Sequence, residues 1–256
     1  MPSYLFGQMI DPSIKQLIPY FDYLIDQESE IYWNIDENLL YVNGEFVNNI
    51  ESIFFRYNVF SENNYIKYNN FTILKQYVMC NNKIKTYNKQ YSYEKPYKLY
   101  NIMMAKKIGL DVPHTEITKK SNNDSTIIKP VLGGQHTKDG NETTVTSIIQ
   151  QKIVGKNKRL YIINDKHFCF EVVTDKLDYR DDIESKVVET EIDPVVIEKT
   201  KRLVHLLNLN FTASDFMEDN NKIWYLETNT GPMFNAFDDV IKGELSKTIR
   251  RELENI

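Results

Sequence analysis

The chain has 256 residues, is 41% hydrophobic, and carries 36 acidic against 31 basic side chains, a formal net charge of −5. That is enough for a substantial core in one large domain or two or three small lobes, and the acidic balance argues against nucleic acid as a partner. No apolar run reaches membrane-spanning length, so no membrane association is expected, and MPSYLFGQMIDPSIK lacks the basic and apolar regions of a signal peptide. Cys80 and Cys169 show no metal-ligand spacing and read as free thiols in a reducing cytoplasm. The four histidines form no H-E-x-x-H arrangement, which argues against a zinc enzyme.

Residues 1–93 read as a first lobe. Ile14, Leu17, Ile18, Phe21 and Leu24 have helical spacing, which predicts a helix over Ser13–Asp26. Ile31–Ile35 and Leu39–Val42 read as strands, and Val42–Glu45 as a turn. Ile53–Tyr57 reads as a buried strand; Arg56 at its end is taken as a surface residue, with a cleft-facing position the alternative. The Asn/Tyr/Lys-rich run Ser61–Tyr93 holds a helix around Thr72–Met79.

The pattern changes at Glu94-Lys95-Pro96. Tyr97–Ile108 is an amphipathic helix with Gly109 as its C-cap, and Val112–Thr115 is extended around Pro113. Thr126–Pro130 is a short apolar strand carrying Lys129. Val131–Glu142 contains Gly133, Gly134 and Gly140. A strand-end lysine followed by a glycine loop is a composition that suits phosphate, although the P-loop order is absent; a plain surface hairpin is the other reading. Ser147–Val154, Arg159–Asn164 and Lys166–Thr174 read as strands, and the Arg159 guanidinium could reach a phosphate with two parallel hydrogen bonds. Asp175–Glu184 is a charged loop with Arg180, and Pro194–Leu207 is a helix.

Thr212–Gly231, TASDFMEDNNKIWYLETNTG, reads as a hairpin with its turn over Met217–Lys222. Glu227 and Asn229 share one face of the return strand, and simple pairing would set Asp215 beside them. Two carboxylates and an amide oxygen of that kind suit Mg²⁺; solvated residues at a hairpin end are the competing reading. Val240–Ile256 is a charged amphipathic final helix.

The order of EKPYKLYNIMMAKKIGLDVPHT, IIKPVLGG, IIQQKIVGKNKRLYIIND, DYR, SDF and YLETNTG resembles the ATP-grasp superfamily, in the branch of ribosomal-protein glutamate ligases and the maturases of graspetides (microviridin-type peptides). The likeness covers about residues 94–240. It implies an α+β (α/β) ATP-grasp fold. Residues 1–93 would be an N-terminal pre-ATP-grasp lobe and 94–256 the ATP-grasp domain, with a small α+β lobe over about 115–155 and a C-terminal lobe over about 156–256. By match of motif, Lys95 and Lys129 would bind the phosphates of ATP and the Gly133-Gly134 loop would close over them. Gln150 to Val154 would form the hinge beside adenine, with Gln150, Gln151 and Ile153 as its nucleotide contacts, and the family usually has an acidic residue in place of Gln151. Ile127 and Leu226 would line the adenine pocket. Asp215, Glu227 and Asn229 would hold Mg²⁺. Arg159 and Arg180 would contact the transferred phosphate, the acyl phosphate or the acceptor.

The implied activity is ATP-dependent carboxylate ligation through an acyl phosphate. The substrate would be a peptide or a small-molecule carboxylate, with a leader-bearing precursor peptide the first candidate and side-chain ester or amide crosslinks the product; a homodimer is compatible with this. Addition of an amino acid to a small molecule or protein terminus, and a nucleotide-binding module without turnover, are the alternatives.

Overall fold

The computed structural model describes residues 2–47, 49–56, 64–90, 98–131, 137–177, 182, 184–219 and 222–256. They form two compact units, Met1–Tyr91 with Met233–Ile256, and Ser92–Pro232. The first unit begins with β1 (Ser3–Gly7), α1 (Pro12–Leu17), β2 (Tyr23–Asp26), β3 (Ile31–Asn34), β4 (Leu39–Val42), β5 (Glu45–Val47), β6 (Ser52–Phe55) and α2 (Asn64–Cys80). The second holds α3 (Lys98–Lys107), β7 (Thr115–Lys120), β8 (Thr126–Lys129), β9 (Lys138–Asp139), β10 (Glu142–Gln151), β11 (Lys156–Ile163), β12 (Lys166–Val173), β13 (Lys186–Glu189), α4 (Pro194–Leu206), β14 (Phe211–Glu218) and β15 (Ile223–Asn229). The chain then returns to the first unit with α5 (Asn235–Val240) and α6 (Glu244–Leu253).

In the first unit, β2-β1-β6 is a parallel sheet. All of β1 is buried, as a central parallel strand requires, and Leu5, Phe6, Ile53 and Phe54 form its core. Asp11 caps α1, its Oδ1 accepting from the Ser13 amide at 2.9 Å. The helix expected over Ser13–Asp26 stops at Leu17. A 3₁₀ turn over Ile18–Tyr20 follows, because Pro19 has no amide hydrogen to continue the ladder, and Tyr23–Asp26 pairs with β1 instead. The helix expected over Thr72–Met79 runs from Asn64 to Cys80. Arg56 is not a surface residue. It is 7% exposed, and its Nε meets Asp11 Oδ2 at 2.8 Å, so the α1 cap also neutralises a buried guanidinium. The expected final helix is two, broken where Lys242 and Gly243 take positive φ of 55° and 84°. The buried Asp238 carboxylate bridges the break by accepting from the Leu245 amide at 2.8 Å and the Ser246 amide at 3.2 Å.

In the second unit, α3 ends in a Schellman turn: Gly109 (φ 86°) donates to Lys106 O and Leu110 to Ala105 O. Two antiparallel sheets follow, β7-β10-β8-β9 and β13-β12-β11-β14-β15. The strand expected over Ser147–Val154 is the end of β10, which begins earlier, at Glu142, and stops at Gln151, so Lys152–Val154 lie beyond it. The segment after it is pinned by Gln151 N donating to His114 O and Lys152 N to Ser125 O. Gly155 then passes so close to Glu218 that a Cβ there would collide with the Glu218 carbonyl.

Candidate active site

β11, β14 and β15 lie side by side in the five-stranded sheet. Their register sets Arg159 opposite Asp215, Asp215 opposite Glu227, and Ala213 opposite Asn229. Directly paired residues share a face, so the guanidinium, both carboxylates and the amide stand on one side of the sheet. The other side is core. There Ser214 and Thr228 hydroxyls meet at 2.8 Å, the Tyr225 hydroxyl donates to Thr228 Oγ1 at 2.8 Å, and Phe216 packs edge-on against Tyr225.

Simple alternation would not give this arrangement, because Tyr225 and Glu227 are two residues apart and would share a face. A register shift between Asp215 and Phe216 resolves the conflict: Phe216 pairs with Tyr225, and Leu226 is the extra residue of a bulge. The bulge lets Tyr225 enter the core at 0% exposure and turns Glu227 to the opposite face. Leu226 itself is half-buried.

Charge is dense on this face. Arg159 Nε lies 3.3 Å from Asp215 Oδ1, and Asn229 Nδ2 donates to Asp215 Oδ2 at 3.0 Å. Lys98, in the first turn of α3, reaches Glu227 Oε2 at 3.2 Å. Burial pushes the Glu227 carboxyl up, but Lys98, Lys129 and Arg159 together outweigh it and hold the group below the usual carboxylate range. Lys129 comes from β8 in the other sheet and is 7% exposed. Burial, with Lys98 adding to it, depresses its ammonium pKa against the pull of Glu227 and Asp215. Among the described residues its ammonium has no hydrogen bond or ion pair, so it is a buried cation compensated only at a distance.

On the four-stranded sheet, Ile127 of β8 pairs directly with Gln150 of β10, and Lys129 with Ile148. Gln150 is fully buried and donates to Thr115 Oγ1 at 3.0 Å, while its Oε1 has no donor among the described residues. A buried amide oxygen without a partner is costly in the protein alone and is an acceptor waiting for a ligand N–H.

No family model matches the sequence, and no curated protein matches it. The likeness is one of structure. The ATP-grasp ligase PsnB complexed with a minimal precursor superposes with a TM-score of 0.79 at 18% identity, over 98% of each chain. A Chryseobacterium gregarium RiPP-associated ATP-grasp ligase in complex with ADP and a leader and core peptide gives 0.75 at 17% identity, over 100% of this chain and 97% of that one. The macrocyclase MdnC from Microcystis aeruginosa, bound with precursor peptide MdnA, gives 0.74 at 13% identity, over 99% and 100%. The chain has the ATP-grasp fold.

Within that ATP-grasp fold, Arg159, Asp215, Glu227 and Asn229 stand together, with the field of Lys129 on Glu227; Ile127 and Gln150 pair nearby on the facing sheet. Gln151 ends β10, and Ile153, in the segment beyond it, is half-buried. Lys95, Gly133, Gly134 and Arg180 lie outside the described residues. Lys98 was not anticipated; the only sign in the sequence is a second lysine three residues after Lys95, in the first turn of the predicted helix. Among the described residues no three His, Cys, Asp or Glu side chains are grouped to hold a metal, so the oxygen donors on offer are two carboxylates and one amide. A cavity of about 620 Å³ elsewhere in this unit contains none of these residues. Its Lys158, one position from Arg159 and so on the other face, is already held by Glu218 at 2.9 Å and the Glu191 carbonyl at 2.6 Å. The charged row, rather than the cavity, is where the chemistry is concentrated.

Proposed function

We propose that this chain is an ATP-dependent carboxylate ligase that works through an acyl phosphate and modifies a precursor peptide, joining side chains by ester or amide bonds. The observation that carries the reading is the row Arg159–Asp215–Glu227 with Asn229, faced by Lys98 and Lys129, in a fold shared with ligases solved with ADP, Mg and precursor peptides. The residues fit those groups. Asp215, Glu227 and Asn229 offer hard oxygens to Mg²⁺, which favours carboxylates shared with phosphate oxygens. Lys129 is a buried cation in want of an anion, and Gln150 Oε1 a buried acceptor in want of a donor such as the adenine amino group. When bound, ATP supplies the phosphoryl group that makes a carboxylate oxygen a competent leaving group.

The side chains then have distinct tasks. Lys98 and Lys129 hold phosphate oxygens. Arg159, fixed by Asp215, presents planar donors to the charge that develops on the transferred group. Asp215, Glu227 and Asn229 would hold Mg²⁺, which would supply positive charge against the nucleotide phosphates, and Ile127 and Leu226 would give the base an apolar seat. Catalysis is positioning and charge neutralisation. Arg180 and the Gly133-Gly134 loop are assigned to acceptor contact and closure by the motif resemblance. Incubation with ATP, Mg²⁺ and a precursor peptide encoded beside this chain tests the proposal. Loss of one water per bond supports it; a gain in mass equal to an amino acid less one water would favour terminal addition, and an unchanged mass with no ADP released would refute ligation.

A further inference from the structure

The three-stranded sheet β3-β4-β5 in the first unit has no role in the ligase reading. It is an antiparallel meander whose inner face packs Trp33 edge-on to Tyr77 of α2 and buries Leu40 and Val47. On its outer face Tyr32 pairs with Tyr41 and Tyr41 with Phe46, an unbroken aromatic row across all three strands. The ring centroids are 5.7 and 5.4 Å apart. Tyr32 is 57% exposed, Phe46 49%, and Ile35, in the adjoining turn, 73%. Exposed aromatics in contact across a sheet whose two edges are unpaired among the described residues are an unusual expenditure of apolar surface.

The surrounding charge says what fits. Between Lys15 and Arg56 the sequence has eight carboxylates and no Lys, Arg or His. Asp36 and Glu37 lie in the turn at one end of β3 and β4 and Glu30 just before β3 at the other end, all three exposed and without an ion pair among the described residues, while Glu45, next to Phe46 in β5, is on the opposite face. By contrast Glu28 is answered by Lys67 at 2.9 Å. The aromatic row thus lies between two uncompensated acidic ends. Like charges would be set against each other by a second copy of this chain laid on the same face, and nucleic acid or an anionic membrane would be repelled.

We infer that this face docks a cationic, extended peptide segment, with Lys or Arg side chains over the Tyr32–Tyr41–Phe46 row and at its acidic ends. Aromatic faces attract such cations, and the flanking carboxylates select for them. A strand rises about 3.3 Å per residue. Basic residues four positions apart would therefore lie on one face and match the length of β3. The site is distinct from the charged row of the second unit.

The test is fluorescence anisotropy with the full chain, without nucleotide. The probe is a fluorescein-labelled peptide with Lys at every fourth position and Thr between, against the same peptide with Glu for Lys. The lysine peptide should bind, more weakly as salt rises, and the glutamate peptide should not. Tyr32→Ser with Phe46→Ser, and separately Asp36→Lys with Glu37→Lys, should each weaken binding at least about tenfold, equivalent to 1.4 kcal/mol. Equal binding of both peptides, no binding of either, or unchanged affinity in both variants would overturn the inference. So would a wild-type dimer in sedimentation that Tyr32→Ser dissociates, which would make a second copy the occupant. The same variants should keep the wild-type response to ATP and Mg²⁺, so failure here and failure of the ligase reading are separable.

Discussion

Lys129→Met should make the ligand-free protein more stable and its nucleotide complex weaker. The native ammonium is 7% exposed, has no hydrogen bond or ion pair among the described residues, and feels burial more than it feels Glu227 and Asp215. Methionine keeps much of the volume and removes the desolvation cost. Replacing a whole buried ion group with apolar side chains is neutral or stabilising by about 1–4 kcal/mol, which is an upper range for Lys129 alone because Glu227 loses one of its three cations. At about 2–4 °C per kcal/mol for a chain of this size, the melting temperature should rise by at most about 2–16 °C. Saturation with ATP and Mg²⁺ at about a hundred times the dissociation constant stabilises wild type by about 2.7 kcal/mol. The variant should lose most of that increment. Differential scanning fluorimetry with and without the ligands reads both effects. A variant that melts lower without ligand yet keeps the full nucleotide shift would refute the reasoning, since Lys129 would then be a structural cation.

Other substitutions separate site from scaffold. Glu227→Gln should leave the fold nearly intact and remove the Mg²⁺-dependent part of the ATP shift; Asp215→Asn should do the same and also loosen Arg159, seen as a lower melting temperature. Gly155→Ala should destabilise by about 1–3 kcal/mol in urea unfolding, because the added methyl meets the backbone carbonyl of Glu218 rather than a side chain that can move. In the first unit, Lys75 is buried, donates to the carbonyls of Tyr87 and Asn88, and has its pKa lowered to about 7, mainly by burial and then by Lys89. Its folded value is below the unfolded one, so the cost is complete below pH 7 and is relieved as pH rises toward the ordinary lysine range. Wild-type stability should climb between about pH 7 and 10, and Lys75→Met should flatten that climb; a shift from 10.5 to about 7 at 1.36 kcal/mol per unit sets an upper limit of about 5 kcal/mol.

Local chemistry made much of this legible. Gly109 after an apolar helix predicts a helix stop, and the structure has a Schellman turn there. The hairpin read over 212–231 is β14 and β15. What failed did so where tertiary pairing decides. Leu24 and Ile25 fit a helical stripe as well as a strand, and only Pro19 and the open edge of β1 choose between them. Arg56 gave no local sign that Asp11, far away in sequence, would bury with it. β7 and β13 are polar edge strands, which carry little apolar pattern to read. For the site, alternation predicted Glu227 beside Asn229, and that is how they stand. It could not reveal the Leu226 bulge, without which Tyr225 and Glu227 would compete for one face.

The charge arithmetic of the site also constrains how its ligands arrive. Lys98, Lys129 and Arg159 face Asp215 and Glu227, three cations against two carboxylates, so the ligand-free face is nearly self-neutralised. A metal ion entering alone would take the carboxylates and leave the cations, Lys129 already buried, without compensation. A nucleotide entering alone would bring its phosphates against Asp215 and Glu227. Only together can each charge exchange its present partner for a better one, so on the proposed function Mg²⁺ and ATP should bind with strong mutual dependence. Titration calorimetry should find Mg²⁺ alone too weak to measure at millimolar concentration and ATP affinity raised at least about tenfold by Mg²⁺, a coupling of about 1.4 kcal/mol. Tight binding of ATP in EDTA, unchanged on adding metal, would mean that the two carboxylates serve only to hold Lys98 and Arg159 in place.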